Sequence, residues 1–377
     1  MIKKYLLLIV LTTGLMGLIY GCIDPFSPPE VNSDEGYLVV DGFLNAGQDT
    51  SRIELRHSQN VNANTAPAFE AGAKVSVQSE AGESFNFTEQ GKGLYILPPV
   101  RIDLTTKYRL SVVLKGGQEY LSEYVKVSTT PPIDSISTKL DEPRNGMVFM
   151  VSTHDPTNNT RFYRWKFEET YEYTASKYST IMVQGDQIIN RPDNIYTCWR
   201  SSSSTNIMLG STIKLSKDEI KDLPLSLVDI ATNKLFIKYS LLVKQYGLTR
   251  EAFEYWTNLS KTTQGTGSLF DPLPSQVTGN IRNKANAREL VFGYFSASVE
   301  TQKRIFVTPH LGYFPQCEAD TLPIRCPSPR EEPKECAFNT QKLLISYLDN
   351  ENVLAAPPNC ADCRLQGGST TRPSFWR

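Results

Sequence analysis

Histidine is scarce in this chain. The three that occur, His57, His154 and His310, stand far apart, and none has a second histidine at metal-binding spacing. His57 ends a predicted strand and the other two lie near prolines in predicted turns, so all three read as structural or solvent-facing. Other catalytic signatures are missing as well. There is no Gly-x-Ser-x-Gly elbow, no phosphate-cradling loop ending in Gly-Lys-Thr/Ser, and no His-Glu-x-x-His helix. Gly265-Thr266-Gly267 lacks the third glycine and the strand-before-helix setting of a nucleotide site. Charge of one sign is not in excess: 39 Lys and Arg stand against 40 Asp and Glu, for a net charge of −1. That balance excludes the basic footprint of a nucleic-acid binder and leaves no charge block for a polyelectrolyte partner. After the first 21 residues no apolar run is long enough to cross a membrane as a helix. Internal repeats and long low-complexity tracts are absent too.

What is present begins at the N-terminus. Lys3 and Lys4 precede an apolar run from Tyr5 to Tyr20, which is shorter than the roughly 20 residues of a membrane-spanning helix. Gly21 and Cys22 follow. A basic start, a greasy core, a small residue and a cysteine form the signal of a bacterial lipoprotein, with residues 1–21 removed and Cys22 lipidated. Each buried methylene of an acyl chain contributes about 0.8 kcal/mol, so several chains hold a protein on a bilayer where one does not. Ile23 rather than Asp follows Cys22, which points to the outer membrane, on its periplasmic or cell-surface face with the surface favoured. Residues 22–34 carry Pro25, Pro28 and Pro29 and read as a semi-rigid, lipidated tether.

Six further cysteines remain: Cys198, Cys317, Cys326, Cys336, Cys360 and Cys363. An even number in an oxidising compartment implies disulfides, in a connectivity that the sequence does not choose. Cys360-Ala361-Asp362-Cys363 has the spacing of a zinc half-site, but no second pair at that spacing accompanies it, so no metal is assigned. Asp155 with Asn158 and Asn159 lacks the glycine and terminal Glu of a calcium loop and reads as a hydrogen-bonded turn; Asp349 and Glu351 read as a solvated loop. No cofactor is expected. Asp134-Ser135-Ile136 and Asp320-Thr321-Leu322 resemble short O-glycosylation signals.

The body of the chain is patterned for β-structure. Short alternating segments at 37–41, 52–57, 74–78, 84–88, 94–97, 108–114 and 119–127 are separated by glycine-containing turns. Seven short strands at this spacing predict an immunoglobulin-like β-sandwich over residues 35–130. Thr129-Thr130-Pro131-Pro132 breaks the pattern, and residues 133–377 form a larger strand-rich domain with a few short helices and a disulfide-rich end. The class is therefore mainly β. Strands are expected at 148–152, 162–169, 234–243, 290–296 and 303–307. Ser216-Lys217-Asp218-Glu219 is a capping box that predicts a short helix before Pro224. A second helix is expected from about Thr249 to Thr263, with Ala252, Phe253, Trp256 and Leu259 on one face, a face that reads first as core packing. Trp199, Trp256 and Trp376 are the candidate partner-binding aromatics, and Trp165, inside a predicted strand, is assigned to the core.

Several segments, in their order and spacing, are recognisable. They are Tyr37-Leu38-Val39-Val40-Asp41-Gly42, Thr130-Pro131-Pro132-Ile133-Asp134-Ser135-Ile136, Tyr196-Thr197-Cys198-Trp199, Gln245-Tyr246, Phe253-Glu254-Tyr255-Trp256, Gly267-Ser268-Leu269-Phe270-Asp271-Pro272, Gly279-Asn280-Ile281, Gly293-Tyr294-Phe295-Ser296, and the ending Cys360-Ala361-Asp362-Cys363-Arg364 with Pro373-Ser374-Phe375-Trp376. Together they resemble the lipoprotein family of Bacteroidota catalogued as domain of unknown function 4249. The resemblance implies an outer-membrane lipoprotein commonly encoded beside a TonB-dependent receptor, and it supplies no catalytic residues. The expected function is a non-enzymatic accessory, or ligand-binding partner, of a TonB-dependent β-barrel transporter in nutrient uptake, attached to the membrane through its lipid. The alternative is an envelope scaffold or adhesion lipoprotein without a small-molecule ligand.

Overall fold

Alternation of apolar and polar residues puts every second side chain of a strand on one face, and two such faces closed together make a core. The first set of strands does this. A computed structural model describes residues 36–59, 66–264, 277–312, 316–326, 328 and 335–377. In it β1 (Leu38–Asn45), β2 (Ser51–His57), β3 (Lys74–Ser79), β4 (Ser84–Asn86), β5 (Thr88–Gly91), β6 (Leu94–Leu97), β7 (Lys107–Val113), β8 (Glu119–Ser122) and β9 (Val125–Ser128) wrap into two layers. Strand β9 pairs with β7 and also takes part in the other layer, so it joins the two. Val40, Leu44, Ile53, Leu55 and Tyr95 meet Val77, Tyr108, Leu110 and Val112 between the layers, all buried.

A second sandwich follows. One layer is β10 (Ile133–Asp141), β11 (Gly146–His154) and, farther on, β17 (Glu219–Asp229). The other is built on the long β12 (Phe162–Thr174), which pairs with β15 (Thr197–Ser203), β16 (Met208–Ser211) and β18 (Lys238–Gly247). The hairpin β13 (Ile181–Gln184) and β14 (Gln187–Asn190) projects from it. Phe149, Val151, Tyr163, Trp165, Tyr239, Leu241 and Val243 fill this core. Trp165 is wholly buried, and its Nε1 donates to Gln245 Oε1 at 2.8 Å.

The helix Arg250–Thr263 then forms as the pattern predicts. Thr249 caps it by accepting from the Ala252 amide, and Ala252, Tyr255 and Trp256 face inward. The other expected helix does not exist. Glu219 opens β17 instead, and the Asp218 amide donates to Asn158 Oδ1 while its carboxylate accepts from Thr212. Those contacts replace a capping box, and Pro224 sits beside a register shift in an edge strand, where its missing N–H is tolerated.

The chain next returns to the first sandwich. β19 (Ile281–Asn283) pairs with β8, and β20 (Phe292–Ser298) runs parallel to β1 and β9. The sequence boundary at 130–133 thus separates the two halves along the chain but not in space, because two strands of the first sandwich come from the later half; Tyr37–Arg377 is one unit. β21 (Glu300–Val307) goes back to β18. Finally β22 (Asp320–Pro323), β23 (Leu343–Tyr347) and β24 (Asn352–Ala356) make a small sheet whose Leu322, Leu344 and Val353 pack with Ile181 of β13.

All six described cysteines are bridged: Cys198–Cys363, Cys317–Cys360 and Cys326–Cys336. The two cysteines of the apparent zinc half-site go to different partners. No helix among the described residues is long and apolar enough to cross a membrane. Cys22, residues 1–35 and the Gly267–Pro272 segment lie outside the described residues.

Candidate functional site

Strand β12 carries two faces. Tyr163, Trp165 and Phe167 point into the second core, so Arg164, Lys166 and Glu168 point out of it. An outward charged face is normally left to water. Here the outer face of the first sandwich comes over it, bringing Asp41 and Phe43 from β1 and Arg52 and Glu54 from β2. The two faces enclose a cleft of about 610 Å³.

Pairing register sets its floor. Arg164 lies opposite Tyr246, and Tyr246 opposite Glu300, so the three form one row across β12, β18 and β21. Tyr246 Oη donates to Glu300 Oε2 at 2.7 Å, and the Phe43 ring meets the Tyr246 ring edge-on at 5.0 Å. In the next row Lys166 lies opposite Lys244. That like-charge pair is relieved from the sides, Lys244 by Glu168 at 2.8 Å and Lys166 by Asp41 at 3.9 Å.

Arg164 has no ion pair among the described residues. Its guanidinium carbon lies 3.4 Å from the centre of the Trp256 ring, and its Nε is buried without a hydrogen-bond partner. Burial pushes the Arg164 and Lys166 pKa values down, with Asp41 opposing in both cases. Burial pushes the Glu300 carboxyl up, and the Tyr246 hydrogen bond only partly offsets this. Glu300 Oε1 is buried and accepts no hydrogen bond. Neither histidine nor cysteine lines the cleft. The arrangement is therefore suited to holding a polar molecule: it offers an unmatched cation under an aromatic roof and an unmatched acceptor in the same row.

The residues singled out in the sequence fall elsewhere or take other parts. Trp256 is the roof over Arg164 and is only 7% exposed; Trp376 is 5% exposed, with its Nε1 donating to Glu172 at 2.9 Å and its ring against Phe306. Neither offers an exposed contact surface, because helix packing covers the first and the returning C-terminal tail folds the second inward. Trp199 is partly buried beside the Cys198–Cys363 bridge, its backbone paired with Ser369.

His57 pairs with Glu70 at 2.7 Å and the exposed His154 with Asp134 at 2.8 Å. His310 is exposed in left-handed backbone. Asp155 ties its own turn, accepting from the Thr157 hydroxyl at 2.6 Å and from the amides of Thr157, Asn159 and Thr160. Burial opposes its ionisation, but these donors, the Thr157 hydroxyl first, prevail and hold its pKa at about 2. Asp349 likewise accepts from the Glu351 and Asn352 amides. Among the described residues no group of three or more His, Cys, Asp or Glu side chains is placed to hold a metal ion.

Sequence reading missed the cleft. Its signal was the alternation of aromatic and charged residues along 162–168, but nothing in that pattern says that a second sheet face would cover the charges.

The architecture defines a class: two β-sandwiches interlocked by returning strands, enclosing a charged cleft, with a bridged C-terminal lobe. A family model described as Domain of unknown function (DUF4249) matches residues 23–304, and the chain belongs to that family. No curated protein matches the chain. Among solved structures, a two fibronectin type III domain segment from chicken tenascin is 14% identical, covering 56% of this chain and 90% of that one at a TM-score of 0.16. Chitinase ChiA74 from Bacillus thuringiensis is 13% identical, covering 54% of this chain and 29% of that one at a TM-score of 0.15. Similarity at that level carries no argument about activity.

Proposed function

We propose that the protein is a lipid-anchored, non-enzymatic accessory of a TonB-dependent transporter in the outer membrane of a Bacteroidota cell, where it captures a ligand for the receptor. The observation that carries this reading is the division of its seven cysteines. Six close three bridges, as suits a compartment outside the reducing cytoplasm. The seventh, Cys22, ends a basic and apolar leader at the position a lipoprotein signal requires. A proline-rich stretch follows it in the sequence, and the body Tyr37–Arg377 carries a polar cleft. Such a module works beside a membrane protein without spanning the bilayer itself. Affinity purification of the tagged full chain from gently solubilised outer membranes tests the proposal. A β-barrel receptor should co-elute in near-equal amount; elution as a lone monomer contradicts the reading.

A further inference from the structure

We propose that the cleft floored by Arg164, Tyr246 and Glu300 is a binding site for a small organic carboxylate, anchored on the Arg164 guanidinium, whose own hydroxyl or amine groups donate to Glu300.

A guanidinium carries five donors, and burying one without an anion is costly. Arg164 is given only the face of Trp256. A cation–π contact supplies about 2 kcal/mol when desolvated, and it gives the N–H donors no acceptor. The Nε in particular is buried with no acceptor in reach. The neighbouring cations on the same sheet face are already matched, Lys244 by Glu168 and Lys166 by Asp41. Asp41 is the acid felt by Arg164, and it is held on the Lys166 side. The partner that Arg164 is built for must come from outside.

The chemistry of that partner is narrowed by the acids around it. Five acids, Asp41, Asp49, Glu54, Glu168 and Glu300, stand against four bases, Arg52, Arg164, Lys166 and Lys244, along the cleft. That balance leaves no cationic excess for a doubly charged phosphate or sulfate, whereas a single planar carboxylate matches the guanidinium fork with two parallel hydrogen bonds. Glu300 adds the second requirement. Its Oε1 is buried and unpaired two strands along the same row, beyond Tyr246, so the occupant must also carry a donor. A cleft of about 610 Å³ lies within the range of roughly 300–1,000 Å³ found for small-molecule sites. Two sources share this chemistry, an acidic sugar and an acidic amino acid.

The proposal deepens the ligand-capture part of the function proposed above, and it is measured apart from it: the solubilised full chain binds or fails to bind whether or not Cys22 is acylated and whether or not a receptor co-elutes. The test is calorimetric titration of the detergent-solubilised full chain with galacturonate, glutamate, galactose and sulfate. Saturable binding of galacturonate or glutamate, but not of galactose or sulfate, is expected; which of the two binds tells sugar from amino acid. Arg164→Gln should weaken that binding by about tenfold or more. Lys166→Gln releases Asp41 to compete for Arg164, so it should weaken binding severalfold with the fold intact, and it decides the matter alone if Arg164→Gln loses its near-ultraviolet circular dichroism. The proposal is overturned if neither carboxylate binds at about 10 mM. It is also overturned if sulfate binds as well as the carboxylate, or if a folded variant at either position keeps the parent affinity.

Discussion

Glu300 shows how one residue serves two ends. Its carboxylate accepts from Tyr246 and its amide donates to Asn45 Oδ1, which ties β21 to β1. Burial nevertheless raises its pKa, so folding favours the protonated acid. The sign follows directly: the folded chain binds this proton more tightly than the unfolded one, so stability is fullest below the ordinary carboxylate range and is lost as pH rises through the higher folded value. Glu300→Gln keeps an acceptor for Tyr246 and has no charge to bury. Its melting temperature should gain on the parent more at about pH 8 than at about pH 4; an equal gain, or a loss confined to high pH, contradicts the assignment. The residues that sequence reading handled best are those with local partners. Asp155 was legible as a turn because the donors it needs lie two to five residues away. Arg164 was not, because its surroundings come from β1, β18 and a helix some 90 residues distant in sequence, which no local pattern encodes.

At the scale of the element, period decided most of what could be read. Phe162 to Glu168 alternates cleanly and is a strand; Ala252, Phe253, Trp256 and Leu259 recur at helical spacing and lie on the helix Arg250–Thr263. The Ser216–Glu219 box failed because a cap stabilises a helix by about 1 kcal/mol, which pairing with β11 along a whole strand outweighs. Recognisable motifs turn out to be joints. The Asn280 side chain pairs with both backbone groups of Phe295, standing in for a missing strand partner. Gly293 lies opposite Val40 in the parallel β1–β20 pair, in backbone of φ +108°. A Cβ there would come within 1.8 Å of the Val40 carbonyl oxygen, a backbone atom with nowhere to go. Gly293→Ala should therefore cost at least about 3 kcal/mol in urea unfolding, since the seam between early and late strands must open. A loss below about 1 kcal/mol contradicts the account of that seam.

Across the whole molecule, the chain passes between the two sandwiches three times: at 129–132, through the segment that carries the helix, and at the step from β20 to β21. The first crossing is held firmly. Thr130 accepts from the Gly247 amide, and the Pro131 carbonyl accepts from Gln245 and Thr301. What reads in the sequence as a break between domains is a hydrogen-bonded joint in which Pro131 is buried while Thr129 and Pro132 stay exposed. The sandwich over the early strands was legible from alternation and turns. The return of β19 and β20 was not, since long-range pairing leaves no mark on local pattern; the bridge pairing was hidden for the same reason, with Cys198 and Cys363 set 165 residues apart. The proposed location of this body depends on Cys22. The direct test is metabolic labelling of cells with alkyne-palmitate, comparing the parent chain with Cys22→Ala. The account predicts a labelled mature parent in the outer-membrane fraction and an unlabelled variant lost from it; a mature parent chain without label would contradict it.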